Sequence, residues 1–136
     1  MDTSKYSEKW QERFEFFEKN GSPYCKESKE QYMQLTFMKR IKIGMNFFAF
    51  FFGIFYFLII GLWRKGLTLL GMTFLAVAII GVIESMMGVE FSDAIWRPLG
   101  LVFAALNGIV ANYAYYLKEV KGEDGWNPFT GVFSKK

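Results

Sequence analysis

Three long runs without a charged residue constrain the fold of this chain more than any other feature. The runs are 43–63, 66–83 and 98–117, of 21, 18 and 20 residues. At 1.5 Å per residue, about 20 apolar residues in a helix cross a hydrocarbon layer about 30 Å thick. A chain of 136 residues has too small a core to bury three such helices, so we expect an integral membrane protein.

The charges that the centre lacks lie toward the two ends. Residues 1–42 contain nine Lys or Arg and seven Asp or Glu, whereas residues 43–117 contain only six charged residues. We therefore predict an all-α membrane protein with a polar N-terminal region over 1–42, a membrane region over 43–117 and an aromatic tail over 118–136. The start of the chain is polar, so we expect no secretory signal peptide.

The N-terminal region is typical of an amphipathic helical hairpin. In the first helix, over 5–19, Tyr6, Trp10, Phe14 and Phe17 recur every three or four residues and share one face. A second helix over about 24–42 would complete the hairpin. The simplest interpretation is that the aromatic face packs within the protein. The alternative is a protein-binding surface that also uses two aromatic residues of the tail: Trp10, Phe14, Phe17, Trp126 and Phe129.

The second and third runs predict spanning helices over 66–88 and 95–117. Small residues recur along both at near-helical spacing, which lets helix backbones approach closely in lipid. We therefore expect a packed antiparallel pair of transmembrane helices. The small residues in question are Gly71, Ala78, Gly81, Gly100, Ala104 and Gly108.

Four polar side chains interrupt or bound these two spans. Asn107 and Asn112 are five residues apart and point about 140° from each other on a helix, so they do not form one shared site. Interhelical hydrogen bonds are the expected role, and a polar pathway is the alternative. Glu84 and Arg97 lie at the predicted ends, where we expect an interfacial ion pair.

The first run, 43–63, is the most apolar and the hardest to orient. Short loops rich in Lys and Arg stay in the cytoplasm. If all three runs span, four flanking cations lie on each side and the rule gives no preference. If 43–63 returns to its own side through a bend at Gly53, seven cations lie inside and one outside. This arrangement predicts a re-entrant hairpin with both termini in the cytoplasm.

The cations that flank the runs have an expected role of their own. Arg64, Lys65 and Lys118 are predicted to contact anionic lipid headgroups. Each such contact contributes about 1 kcal/mol.

Composition also excludes several classes of function. The chain has no histidine, which removes the residue most often used for general base catalysis and for metal ligation. We expect no enzyme activity, no cofactor and no metal site. The net charge of +3 is too small and dispersed to favour nucleic acid.

Three segments that together span nearly the whole chain are KWQERFEFFEKNGSP (9–23), KIGMNFFAFFFGIFYFLIIGLWRKGLTLLG (42–71) and GWNPF (125–129). They resemble one family of small bacterial inner-membrane proteins, the enterobacterial YigF/YigG type. The family commonly has Pro after the glycine of the middle segment, whereas this chain has Ile54. The resemblance implies a bacterial cytoplasmic membrane location and brings no known activity.

The expected function is a non-enzymatic interaction or regulatory protein of the inner membrane. It would contact membrane lipid and either a protein partner or further copies of itself. An immunity protein that binds a membrane-active toxin is a special case. The alternative is a small channel or transporter subunit that acts as a homo-oligomer, with Asn107 or Asn112 lining a path.

Overall fold

The computed structural model describes residues 4–133, which form helices and turns without a strand. The all-α prediction is therefore confirmed for this part of the chain. Seven α-helices lie within it, and a 3-10 turn over Lys26–Ser28 precedes α2. They are α1 (Glu8–Asn20), α2 (Lys29–Met33), α3 (Phe37–Gly44), α4 (Phe47–Phe52), α5 (Ile54–Ile59), α6 (Trp63–Met87) and α7 (Asp93–Lys121).

The N-terminal region departs from the predicted two-helix hairpin. Helix α1 begins at Glu8, three residues later than predicted, and the Ser7 hydroxyl caps it by accepting a hydrogen bond from the backbone N–H of Trp10 at 3.4 Å. The single second helix over 24–42 is wrong, because the chain there forms the 3-10 turn, α2 and α3. Thr36 starts α3 anew by accepting from the N–H of Lys39 at 3.3 Å. Such side-chain bonds to the backbone compete with a continuous helix.

The Phe-rich run is two short helices rather than one long one. Helix α4 ends and α5 begins at Gly53, whose φ of +55° is a conformation that favours glycine. Each helix has six residues, about 9 Å of length, far less than the roughly 30 Å hydrocarbon layer. The break predicted at Gly53 is present, and this run does not form a third long helix.

Helices α6 and α7 are long and apolar enough to cross a membrane, by length and composition. Their 25 and 29 residues correspond to about 37 and 43 Å. The predicted spans 66–88 and 95–117 match them to within a few residues at most ends. Ser92 caps α7 by accepting a hydrogen bond from the N–H of Ala94 at 3.3 Å. A short turn over 88–92 joins the two helices, and we refer to this side of the hairpin as the loop end.

The small-residue stripes do not pack α6 against α7 as predicted. A Cβ added at Gly71, Gly81 or Gly100 would meet nothing within 4 Å outside its own helix. Gly108 is in close contact, but with the segment leading into α4, where a Cβ would lie 3.2 Å from the Asn46 carbonyl oxygen. The expected helix pair is therefore packed by a third element rather than by its own glycines.

The core lies at the end of the α6–α7 hairpin opposite the loop end, where α6 begins and α7 ends. We refer to this end of the hairpin as the closed end. Helices α4 and α5 fold back there against α6 and α7. Their contacts bury one apolar cluster, and α1 and α3 build a second cluster on the last turns of α7. The buried members of the two clusters are Ala49, Phe57, Leu62, Leu69, Val110, Ala111 and Ala114, then Phe14, Phe16, Phe17, Ile43 and Tyr116.

Candidate functional site

A buried pair of asparagines joins the hairpin of α4 and α5, which we call the Phe-rich hairpin, to α7. The Asn46 amide nitrogen donates to the Asn112 side-chain oxygen at 3.0 Å and to the Tyr56 hydroxyl at 3.0 Å. The Asn112 amide nitrogen in turn donates to the carbonyl of Ile43 at 3.1 Å. We name Asn46, Asn112 and Tyr56 the asparagine clasp. It connects α3, α4, α5 and α7 in one buried network.

Asn46 has a second role at the start of α4. Its side-chain oxygen accepts from the N–H of Ala49 at 3.1 Å, which caps the helix, while its own N–H donates to the carbonyl of Gly108 at 3.0 Å. Sequence reasoning missed this residue. The available signal was an asparagine directly before an apolar helical run, which is a standard helix-start pattern.

Asn112 and Asn107 lie in different surroundings, as their helical spacing predicted. Asn112 is 1% exposed, and its amide and carbonyl groups are both used in the clasp. Asn107 is half-buried, and its amide nitrogen lies 3.3 Å from the position of a Cβ on Gly53. Asn112 thus makes interhelical hydrogen bonds, and Asn107 covers the bend between α4 and α5.

The tail returns to the start of α6 and binds its two cations. Lys65 is fully buried, and its ammonium lies 3.4 Å from a Glu123 carboxylate oxygen and 3.3 Å from the carbonyl of Gly125. Arg64 donates to the backbone carbonyl of Asp124 at 3.0 Å. We name these five residues the tail contact.

The tail contact corrects the expected role of Lys65. A fully buried ammonium with protein partners is not positioned for a lipid headgroup. Arg64 keeps 41% of its side chain exposed, and Lys118 keeps 29% and lies 3.6 Å from the Glu119 carboxylate. Sequence reasoning did not pair residues 64 and 65 with residues 123–125, because nearly 60 residues separate them.

The aromatic face of α1 packs on the last turns of α7. The Phe14 ring centroid lies 5.9 Å from that of Tyr116, and the Phe17 ring lies 5.3 Å from Tyr113. The Trp10 ring centroid lies 4.7 Å from that of Tyr115, with the two ring planes tilted by 50°. Phe14 and Phe17 are buried, so the packing interpretation describes them and they are not available to bind a partner.

Polar contacts reinforce the same interface. The Tyr116 hydroxyl donates to the Glu18 carboxylate, and the Lys121 ammonium lies 3.4 Å from it. The hydrogen bond from Tyr116 and then the charge of Lys121 lower the pKa of the Glu18 carboxyl. On the opposite side of α1, Arg13 is buried and donates from Nε to the carbonyl of Lys42 at 2.7 Å. Helix α1 is therefore fixed to both α7 and α3.

The tail aromatics divide into buried and exposed positions. Phe129 is partly buried against the apolar cluster beneath α4 and α5. Trp126 is 53% exposed and makes an edge contact with Trp63, whose ring centroid lies 5.4 Å away. Trp126 of the tail and Trp63 of α6 thus form an exposed aromatic pair at the closed end.

The ion pair predicted between Glu84 and Arg97 is absent. The Glu84 carboxylate accepts from the backbone N–H of Phe91 at 3.0 Å, so it closes the turn after α6. Arg97 lies 3.8 Å from Asp93, one turn earlier on α7, and both side chains are more than 80% exposed. Each charge is paired locally because the turn and the helix offer a nearer partner.

No group of three metal-binding side chains comes together within residues 4–133. The polar groups that converge at the closed end form hydrogen bonds and ion pairs with one another. These contacts hold the helices and the tail together. The loop end, in contrast, exposes long apolar surfaces on both α6 and α7.

Related proteins align with this chain over nearly their whole length and nearly the whole length of the chain. The family model described as protein of unknown function (DUF2628) matches residues 3–121. Uncharacterized protein YigF from Salmonella typhimurium is 35% identical over 131 residues, which cover 93% of this chain and 95% of the relative. Uncharacterized protein YigF from Escherichia coli is 32% identical with the same coverage. No solved structure matches the chain. The chain therefore belongs to the DUF2628 family, of the YigF type, whose function is uncharacterised.

Proposed function

We propose that this chain is a small integral protein of the bacterial inner membrane, in which α6 and α7 span the bilayer. The most apolar windows of the two helices are only 11% and 17% buried within the protein. Exposed apolar patches much beyond a few hundred Å² are rare on soluble monomers. Lipid is the solvent that suits such surfaces. Retention of the full chain in membranes after alkaline carbonate extraction is the expected result, and release into the supernatant would contradict insertion.

The orientation rests on one observation: three parts of the chain meet at the closed end. The tail contact joins Lys65 to Glu123, and the clasp joins Asn112 to the carbonyl of Ile43. The segment before α4, the start of α6 and the end of α7 therefore lie together, on one side of a bilayer that α6 and α7 cross. Seven of the eight flanking cations lie there, which supports a cytoplasmic closed end.

The α4–α5 hairpin then enters the membrane from the cytoplasmic side and returns. Large apolar side chains along both short helices face away from the protein, and Phe51 is 72% exposed. Non-helical backbone at membrane depth is tolerated only where protein covers it, and Asn107 lies against the bend at Gly53. The hairpin is thus a re-entrant element that occupies the cytoplasmic leaflet.

The role we propose is a non-enzymatic interaction or regulatory protein, of which an immunity protein is a special case. Helix α1 packs on α3 and α7, the tail binds the start of α6, and the exposed Trp63–Trp126 pair is the aromatic feature of the cytoplasmic surface that they form. Tyrosine, tryptophan and arginine dominate protein-binding surfaces. A photo-cross-linking residue at Trp126 should capture a defined protein in cells, and the same residue at Met86, which is 82% exposed at the loop end, should not. Capture of lipid alone at both positions would contradict this role.

The alternative is a homo-oligomer, including a channel or transporter subunit. It is favoured by the uncovered glycines at 71, 81 and 100, which leave room for close helix contacts with a second copy. Gly81→Ile would then shift the molecular mass of the purified protein in detergent to that of a monomer. A wild-type protein that is already monomeric would contradict this alternative.

A further inference from the structure

A cationic cleft opens where α1 and α3 meet the start of the Phe-rich hairpin. It has a volume of about 380 Å³ and eight lining residues, of which none is a carboxylate. Three of them, Lys9, Arg13 and Lys42, carry positive charge. The other five are apolar residues of α3, of the link that follows it and of α4, among them Met45, Phe47 and Phe48.

The positive charge of this cleft is only partly neutralised by the protein. Lys42 pairs with Glu12 at 3.0 Å. Arg13 is 3% exposed, binds the carbonyl of Lys42 through Nε and has its guanidinium carbon 4.4 Å from the ring centroid of Trp10. Its terminal nitrogens have no hydrogen-bond partner among residues 4–133. Lys9 makes no ion pair within that range, and its ammonium lies 5.6 Å from the ring centroid of Phe48. Within the part of the chain that the structure describes, Glu12 is thus the one carboxylate that pairs with any of these three cations.

The positive charges of these cations also repel one another. Burial, followed by the charges of Arg13 and Lys42, lowers the pKa of the Lys9 ammonium. Burial lowers the pKa of Arg13 to about 10, so its guanidinium stays charged at neutral pH. An anion placed among these groups would relieve their repulsion and supply the acceptors that Arg13 lacks. The geometry therefore favours an anionic ligand.

We propose that the cleft binds the phosphate of an anionic phospholipid, with an acyl chain along its apolar residues. Arginine and lysine are the usual donors to phosphate oxygens. A free phosphate would gain nothing from the five apolar lining residues, whereas a lipid chain would cover them. Phe47 and Phe48 are more than half exposed and continue from the cleft onto the Phe-rich hairpin. This assignment rests on the proposed insertion of that hairpin from the cytoplasmic side.

The test compares two double variants that remove the same charge from the full chain. Lys9→Gln with Lys42→Gln removes two cations of the cleft. Lys19→Gln with Lys39→Gln removes two cations that line a different groove, between α1 and the segment containing α2 and α3. Binding of dioctanoyl phosphatidylglycerol and dioctanoyl phosphatidylcholine to each purified protein in neutral detergent is measured by native mass spectrometry.

The wild type should prefer the phosphatidylglycerol. Each headgroup lysine removed should weaken its binding about fivefold, so the cleft variant should lose about 25-fold. The control variant should stay within about twofold of the wild type. Equal losses in both double variants would assign the effect to overall charge and overturn the proposal. Lys9→Gln alone, at an exposed side chain, should lose about fivefold and provides a test if the double variant does not fold.

Two further arms separate the remaining explanations. Glycerol phosphate should compete weakly, and competition as strong as that of the lipid would make a free phosphate the ligand and overturn the lipid assignment. Alkaline carbonate extraction of the same variants tests insertion independently. A chain that stays in the membrane but shows no lipid preference would overturn only the cleft, whereas a released chain would contradict the proposed membrane role.

Discussion

Replacing Asn112 by leucine tests whether the asparagine clasp holds the closed end together. The substitution removes two buried hydrogen bonds, one from Asn46 and one to the carbonyl of Ile43. Asn46 keeps its bond to Tyr56, but the side-chain bond to the Ile43 carbonyl is lost. Leucine has the same number and branching of side-chain heavy atoms as asparagine, so the change mainly removes polar contacts.

The expected cost follows from these two bonds. A buried hydrogen bond contributes about 1 kcal/mol in proteins, and interhelical bonds in membranes average about 0.6 kcal/mol. Two such bonds amount to about 1–2 kcal/mol, and a bond whose loss leaves a buried polar group without a partner costs about 1–3 kcal/mol instead. We therefore expect Asn112→Leu to lower the free energy of unfolding by about 2 kcal/mol. This is about a 30-fold change in the ratio of folded to unfolded protein.

The assay is reversible unfolding of the purified protein by SDS in mixed micelles, followed by tryptophan fluorescence. Asn107→Leu is the matched control, because it makes the same chemical change on the same helix at a half-buried side chain outside the clasp. The control should cost clearly less than Asn112→Leu, because Asn107 takes no part in the hydrogen bonds of the clasp. Equal losses at the two positions, or no loss at Asn112, would refute the reasoning.

Three further changes test other contacts of the closed end. Gly53→Ala forces a φ of +55° on an L-residue and should destabilise the α4–α5 hairpin by about 1–3 kcal/mol in the same assay. Lys65→Gln removes the buried charge that binds Glu123, so limited proteolysis should release the tail beyond residue 121 several-fold faster. The pKa of the Glu18 carboxyl is lowered in the folded protein, so the bond to Tyr116 stabilises fully above the ordinary value of 4.5 and is lost as pH falls through the lower folded value. Unfolding scans from pH 7 to pH 3 should show this loss.

Matched variants give each of these tests a control. Gly71→Ala, at a helical glycine with open space around it, should not destabilise the protein. Arg64→Gln removes a half-exposed cation of the same tail contact and should release the tail less than Lys65→Gln. Glu18→Gln should flatten the acid-side loss of stability. An unchanged acid limb in that variant would assign the loss to other carboxylates.

The long helices and the bend could be predicted because each depends on local properties. The length of the runs without a charged residue predicted the bounds of α6 and α7 to within a few residues at most ends. A glycine within an aromatic run predicted the break at Gly53. The apolar spacing on α1 also identified the face that packs, since Phe14 and Phe17 are both buried. These features require only neighbours in sequence.

The contacts of the closed end could not be predicted, because they join distant parts of the chain. Asn46 forms a hydrogen bond with Asn112, 66 residues later in the chain, and Lys65 pairs with Glu123, 58 residues later. Lys65 and Arg64 look alike in sequence, yet only Lys65 is fully buried. The glycines of α6 illustrate the opposite error. Small residues allow close packing without requiring it, and in this chain Gly71 and Gly81 meet no neighbour.

The most direct test of the central claim is the side of the membrane on which residue 64 lies. Single cysteines at Arg64 and at Glu90, in a chain with Cys25→Ser, are exposed to a membrane-impermeant maleimide in spheroplasts before and after permeabilisation. A cytoplasmic closed end predicts that the cysteine at 90 labels at once and the cysteine at 64 only after permeabilisation. Labelling of position 64 in intact spheroplasts, with position 90 protected, would contradict the proposed cytoplasmic closed end.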